Sequence, residues 1–232
     1  MQNKTSAIVI LGGFLSQAAI YSGFSQRLAA LTGSRVYVVN THVLDWAHSI
    51  TKFGWLLVLN KLDITVKKAF RKNSGKKVTL IGHSQGGILG RFYLSDKTLL
   101  GKSFCGREYI DHLIMLGSPH LNQGGLQRGG HMAQWVQRYV PDSTFTPQVR
   151  YTSVSGKYIQ GHISGSLSER LAYKVYKDIC GDGNVWGDGM VPLNSALLPG
   201  SEEITLLGVS HYTIIGRPWY GSDGVIQKWW RL

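Results

Sequence analysis

The stretch VTLIGHSQGGILGRFYL, residues 78–94, decides the fold because its pattern changes halfway. The short apolar run over 76–82 reads as a buried strand, and Ile88, Leu89 and Phe92 at helical spacing predict a helix over 85–95. Ser84 stands at the junction, in the order Gly82-His83-Ser84-Gln85-Gly86. This is the G-x-S-x-G pattern of a sharp strand-to-helix turn that thrusts a hydroxyl outward. Its glycines serve close approach, since a side chain at either position would run into neighbouring backbone.

Outward from this junction, strands are expected at 6–11, 35–40, 111–118, 149–156 and 202–208. Helical stretches fall between them. Phe24, Leu28 and Leu31 recur at helical spacing and stop at Gly33, while Leu59, Leu62, Val66 and Phe70 make an apolar stripe with most lysines off it. MAQWVQRYV is a weaker helical segment, and VIQKWWRL closes the chain as another. Alternating strands and helices predict an α/β fold with a mostly parallel central sheet of about six strands and helices on both faces. No repeat or linker interrupts it. The expected organisation is a single domain, 1–232, with a short cap or lid-like insertion around 119–148. In such sheets functional residues gather beyond the carboxyl ends of the strands.

Composition bounds the function. A 43% hydrophobic, 16% charged chain of 232 residues is globular rather than disordered. Two cysteines, Cys105 and Cys180, exclude a disulfide framework and favour a reducing, cytoplasmic setting. The aliphatic run in MQNKTSAIVILGGF is too short for a signal core or a membrane span. The net charge of +12 is concentrated at 52–77, where eight basic residues face one acid, Asp63. A solvated helix face is the plainest account. Peripheral contact with an anionic membrane comes next, and nucleic acid last, since no nucleic-acid motif accompanies the patch.

A serine hydroxyl becomes a nucleophile only beside a base that an acid holds in place. His83 is nearest in sequence, but adjacent residues at such a turn point differently, so it is expected to pack behind the elbow. His211, just after the last strand in LLGVSHYT, is the expected base. The acid should lie between serine and histidine. Asp188 in GDGMVP is preferred, because a glycine turn and an apolar run can bury its carboxylate; Asp182 is the alternative, or a turn residue. A calcium loop counted from Asp182 would need glutamate at 193, which is leucine. Oxyanion donors are expected from the backbone amides of Gln85 and, in the loop after the first strand, Phe14.

With these parts in order, the chain resembles the α/β-hydrolase superfamily, nearest to compact bacterial lipases and GPI inositol-deacylase-like proteins. VILGGF, LIGHSQGG, MLGSPH, DGMVPLNSALLPG and GVSHY carry the resemblance. It implies that Ser84 is acylated, that Asp188 orients His211, and that the amides of Phe14 and Gln85 hold the oxyanion. That family often has His-Gly before the first oxyanion residue; here Gly12-Gly13 precedes Phe14, which keeps the backbone donor. The insertion is also too short for a large lid.

The expected activity is hydrolysis of acyl esters, with a lipid substrate and no cofactor or metal. Leu15, Trp135 and Trp186 are the substrate-contact candidates, within a wider group that includes Trp46, Phe53, Trp55 and Tyr139. WWRL could anchor at an interface, although a helix capping the last strand is the plainer role. Thioesterase, amidase or acyltransferase chemistry would use the same triad. A non-catalytic binding protein on this fold is the rival of another class.

Overall fold

The computed structural model describes residues 7–123, 130–213 and 217–230. Its strands are β1 (Ile8–Leu11), β2 (Val36–Val38), β3 (Val78–His83), β4 (Ile110–Leu116), β5 (Arg150–Lys157), β6 (Ile159–Gln160), β7 (Trp186–Gly187) and β8 (Glu202–Leu207). Six form one mostly parallel sheet in the order β2-β1-β3-β4-β5-β8, flanked by helices, while β6 and β7 pair separately and antiparallel. This is the expected fold class. Each strand read from the sequence is present; the first begins at Ile8, after Ala7, and residue 6 of its expected span lies outside the described residues. The chain divides into two compact units, one comprising Met1–Ile114 with Phe145–Tyr151, the other Met115–Thr144 with Thr152–Leu232.

In the first unit, β1 runs parallel to both β2 and β3, with Ile10 opposite Val38 and Ile81. β1 and β3 are buried along their whole length, which is why they read as unbroken apolar runs rather than alternating ones. Helix Ser22–Thr32 stops at Gly33, whose φ of 67° lets its N–H close back onto Ala29. The basic segment forms helix Lys52–Lys72, capped by the Thr51 hydroxyl, and buries Leu59, Leu62 and Val66 as the stripe predicts. Phe70 is half-buried, edge-on to Tyr109 at 5.2 Å.

Asp63, the lone acid of that segment, is buried and meets Lys67 at 3.0 Å and the Tyr93 hydroxyl at 3.1 Å, fastening this helix to helix Gln85–Leu94. Lys61 pairs with Asp45 at 2.6 Å. Two of the lysines are thus matched locally, while Lys68, Arg71 and Lys72 are exposed. Among the described residues, no helix is long and apolar enough to cross a membrane.

Two aromatic expectations are overturned here. Trp46 and Trp55 are core residues, 0% and 1% exposed, and Trp55 donates its indole N–H to the Ser49 carbonyl. Large rings bury large apolar areas, so an aromatic near a functional edge is drawn inward whenever the packing admits it. Phe53 stays exposed.

In the second unit, β5 and β8 pair in parallel, Val154 opposite Ile204. Helix Gly130–Tyr139 lies within the expected insertion, of which 124–129 fall outside the described residues. Helix Leu167–Cys180 was not anticipated; it opens with a capping box in which the Ser166 hydroxyl and the Glu169 carboxylate satisfy each other's backbone N–H. The closing segment forms helix Ile226–Trp229, with 231–232 outside the described residues. Trp229 is 1% exposed and donates to the Tyr220 carbonyl at 2.9 Å, which removes it as an interfacial anchor. Cys105 and Cys180 are free thiols.

Candidate active site

The elbow is built in the first unit as the motif requires. Ser84 joins β3 to helix Gln85–Leu94 with φ 56° and ψ −128°, a backbone conformation that a serine adopts only when its surroundings enforce it. Those surroundings are visible at the glycines. A Cβ on Gly86 would stand 2.4 Å from the Gly12 carbonyl oxygen, and one on Gly82 would strike the backbone of Gly87 at 2.5 Å. The loop after β1 therefore lies directly against the elbow. Gly13 is held there by its N–H donating to the Tyr21 hydroxyl at 3.1 Å, and Ser16 closes the turn by donating to the Gly13 carbonyl at 2.6 Å.

His83 packs behind the elbow, as expected. It is buried and its Nδ1 meets the Tyr21 hydroxyl at 2.9 Å, so one tyrosine ties the glycine loop to the strand that ends at the serine. Phe14 follows Gly13 and is half-buried, and Gln85 is the first residue of the elbow helix. Leu15 is 47% exposed with φ 56°.

In the second unit Asp188 and His211 form a buried pair. The imidazole Nδ1 lies 2.7 Å from Asp188 Oδ2. A carboxylate only accepts, so Nδ1 carries the proton and Nε2 is the nitrogen left to act as a base. The Asp188 turn builds its own cradle, since Oδ1 accepts the N–H of Met190 at 3.0 Å and of Val191 at 2.7 Å. Oδ2 also accepts the Tyr220 hydroxyl at 2.7 Å. Burial works to raise the carboxyl, but the His211 charge and bond, then Tyr220 and the Val191 amide, outweigh it and hold Asp188 below the usual carboxylate range. Asp182, the alternative acid, is exposed and caps its own turn by accepting the Asn184 N–H at 2.8 Å.

Two tyrosines that the sequence reading missed support this pair. Tyr220 is fully buried; burial first, then the neighbouring carboxylate, push its phenol far above the ordinary value. Tyr176, on the unanticipated helix Leu167–Cys180, accepts the Gly189 N–H at 2.8 Å and donates to the Ile159 carbonyl at 3.3 Å, bracing the glycine beside Asp188. No motif marks either residue.

The remaining aromatic candidates lie elsewhere in the second unit. Trp135 is half-buried against Tyr139, their rings 4.8 Å apart. Trp186, 40% exposed beneath the Lys157 ammonium at 5.0 Å, lines a cavity of about 640 Å³ with Cys180, Val185, Leu193 and Thr205. Neither Asp188 nor His211 lines that cavity.

Comparison with solved structures finds the same fold at low identity. Bacillus licheniformis lipase BlEst2 in its mature form is 16% identical with a TM-score of 0.63, over 92% of this chain and 88% of that one. The lin2722 gene product of Listeria innocua is 15% identical with a TM-score of 0.54, over 97% and 92%. Aspergillus fumigatus lipase B is 12% identical with a TM-score of 0.54; the match covers 88% of this chain but 45% of that longer one. Comparison with curated proteins gives no match.

The sequence profile described as palmitoyl protein thioesterase matches residues 7–169, from β1 through the elbow into helix Leu167–Cys180, ending before Asp188 and His211. A match over so large a share of the chain settles its kinship: the chain belongs to the palmitoyl protein thioesterase family.

Proposed function

We propose that the chain is a serine acyl hydrolase that cleaves long-chain acyl thioesters, with Ser84 as nucleophile, His211 as base and Asp188 as orienting acid. The observation that carries this reading is the buried Asp188–His211 pair at 2.7 Å, which leaves an imidazole Nε2 as a base. The strained elbow at Ser84, the chain order serine, aspartate, histidine, and the family membership support it. The mechanism requires Ser84 Oγ to come within hydrogen-bond reach of His211 Nε2.

In this scheme Ser84 Oγ gives its proton to His211 Nε2 and bonds to the thioester carbonyl carbon. The carbonyl oxygen takes the negative charge and is held by the amides of Phe14 and Gln85. Collapse breaks the carbon–sulfur bond, and the leaving thiolate takes the proton from His211. Water then loses a proton to His211 as its oxygen attacks the acyl carbon. A second collapse releases the fatty acid and returns the proton to Ser84 Oγ.

Long acyl chains are favoured by the surface of the first unit. The segments leaving β1 and β2 are tied by Ala18 N–H donating to the Thr41 carbonyl at 3.1 Å, and they expose Leu15, Ile20, Val43 and Leu44. Nearby in sequence, Phe53 is exposed at the start of the basic helix, beside Lys52. Exposed apolar side chains, with Lys52 beside Phe53 and the basic helix that follows, suit peripheral contact with an anionic membrane, where acylated substrates reside. Carboxylic-ester hydrolysis is the second reading, favoured by the fold shared with proteins named as lipases.

The deciding experiment measures turnover of palmitoyl-CoA, an S-palmitoylated peptide and p-nitrophenyl esters from short to long chain, by wild type, Ser84→Ala and His211→Ala. Thioester turnover that rises with chain length and disappears in both variants is the expected result. Ester turnover exceeding thioester turnover would replace this reading with the lipase one. Silence toward every acyl substrate, with no labelling of Ser84 by a fluorophosphonate, would leave a binding protein on a hydrolase fold.

A further inference from the structure

The carboxylate oxygen that faces His211 is not His211's alone. Asp188 Oδ2 accepts from His211 Nδ1 and from the Tyr220 hydroxyl, each at 2.7 Å. Tyr220 Oη in turn accepts the Gly156 N–H at 2.8 Å, so the chain of donation runs from Gly156 through Tyr220 into Asp188. A hydroxyl that accepts a bond becomes a better donor. The arrangement is enclosed. A Cβ on Gly117 would stand 2.6 Å from Oδ2 and 2.8 Å from the Tyr220 hydroxyl, and one on Gly156 would meet Asp188 Cβ at 2.9 Å. Tyr220 is held from behind by the Trp229 indole N–H on its carbonyl.

We infer that Tyr220 is a positioning residue that sets the proton affinity of His211 by sharing Asp188 Oδ2 with it. The physical reason is competition for one oxygen. Charge that Tyr220 draws from Oδ2 is withdrawn from the bond that stabilises the imidazolium, so His211 gives up its proton more readily. The same donor stabilises the carboxylate whatever the state of the imidazole, which keeps the shared proton on nitrogen during turnover. Among the described residues, three phenols approach the pair from the surrounding elements. Tyr176 comes from helix Leu167–Cys180, Tyr212 stands edge-on to the His211 ring at 4.5 Å, and Tyr220 itself lies 6.5 Å away, centre to centre. Phenols ordinarily titrate near pH 10, several units above the range in which an imidazole changes charge.

This inference rests on the reading of His211 as the base, so its test is made to work without turnover. In the full chain, Tyr220 is replaced by Phe and, site-specifically, by 3-fluorotyrosine and 3,5-difluorotyrosine. The His211 imidazole is then titrated by NMR, its resonance identified by absence from His211→Gln. Removing the hydroxyl should raise the His211 midpoint by about half a unit to one unit. Fluorination, which makes the phenol a stronger donor, should lower it in the order of phenol acidity, and the acidic limb of kcat/KM should move with it. A purely space-filling tyrosine would not respond to the acidity of its hydroxyl, so one midpoint across the series overturns the inference. Should Tyr220→Phe fail to fold, the fluorinated pair, which keeps ring and hydroxyl, decides. An inactive wild type with a shifting midpoint would sink the thioesterase reading and leave this one standing.

Discussion

Gly13 lies so close to Ser84 that a Cβ on the glycine would stand 2.6 Å from the serine Cβ. The substitution Gly13→Ala therefore pushes the loop carrying Phe14 away from the elbow. We expect kcat/KM to fall about 100-fold, as for loss of one oxyanion donor, and stability to fall by about 1 to 3 kcal/mol from overpacking. Gly23→Ala is the control: its Cβ would meet the flexible Arg27 guanidinium at 3.4 Å, within a helix. That variant should keep its activity and gain up to about 1 kcal/mol. Steady-state kinetics and urea unfolding of both variants check the pair.

Asp188→Asn keeps the shape of the turn and removes the charge that orients the imidazole. A loss of about 10⁴ in kcat is expected, with little change in KM. Stability adds an independent readout. The folded carboxyl lies below its unfolded value, so its contribution is complete above the ordinary carboxylate pKa and disappears as pH falls through the lower folded one. The stability gap between wild type and variant should close on acidification below about pH 4, measured by urea unfolding.

A histidine outside the proposed triad should govern acid stability. His112 is buried on β4 and its Nδ1 accepts from Arg150 Nη2 at 2.8 Å, a bond that protonation would destroy. Burial, then the Arg150 charge, depress it to about 3. An unfolded histidine takes up its proton near pH 6.5, so stability should fall steadily as pH drops from there toward 3, by a few kcal/mol on the order of the shift. His112→Asn offers an acceptor without titrating and should flatten that slope in urea titrations.

Ser166→Ala removes half of the capping box of helix Leu167–Cys180. The melting temperature should drop by about 2 to 4 °C. Because Tyr176 of that helix braces Gly189, kcat should fall measurably near the melting range while remaining normal well below it.

Charge reversal at the exposed Lys68 and Lys72 tests the proposed contact of the basic helix with an anionic membrane. Two Lys→Glu changes should weaken binding to phosphatidylserine vesicles by at least about tenfold, leaving neutral vesicles and soluble thioester turnover unaffected. Vesicle sedimentation at low and high salt provides the measurement.

What could be read from the chain and what could not follow from the range of each interaction. β1 and β3 were legible because burial on both faces leaves an unbroken aliphatic run, and the elbow because its steric demands fall within five residues. Asp188 was preferred over Asp182 on burial, and the structure pairs it with His211. Helix Leu167–Cys180 escaped because its inward face is Ala172, Tyr176 and Ile179 while Leu167 and Leu171 are exposed, so the apolar pattern pointed outward. Its readable signal was Ser166 with Glu169 three residues on. Trp46 and Trp55 were misplaced because residue type does not say which face of a helix meets the core. Tyr220 reaches Asp188 across 32 residues of chain, a contact that no local pattern encodes.

The Asp188 turn holds one carboxylate oxygen with two amides that follow within three residues, so half of the acid's placement is written into four consecutive positions. His211 arrives only after β8 has been laid down. The two partners therefore differ in their tolerance of insertions. Extra residues between Leu198 and Glu202 would lengthen a surface excursion and leave the carboxylate aimed as before, whereas one residue added between Asp188 and Val191 would undo it. A library of single-codon insertions through this region should show a sharp island of intolerance at the turn, bordered by permissive chain.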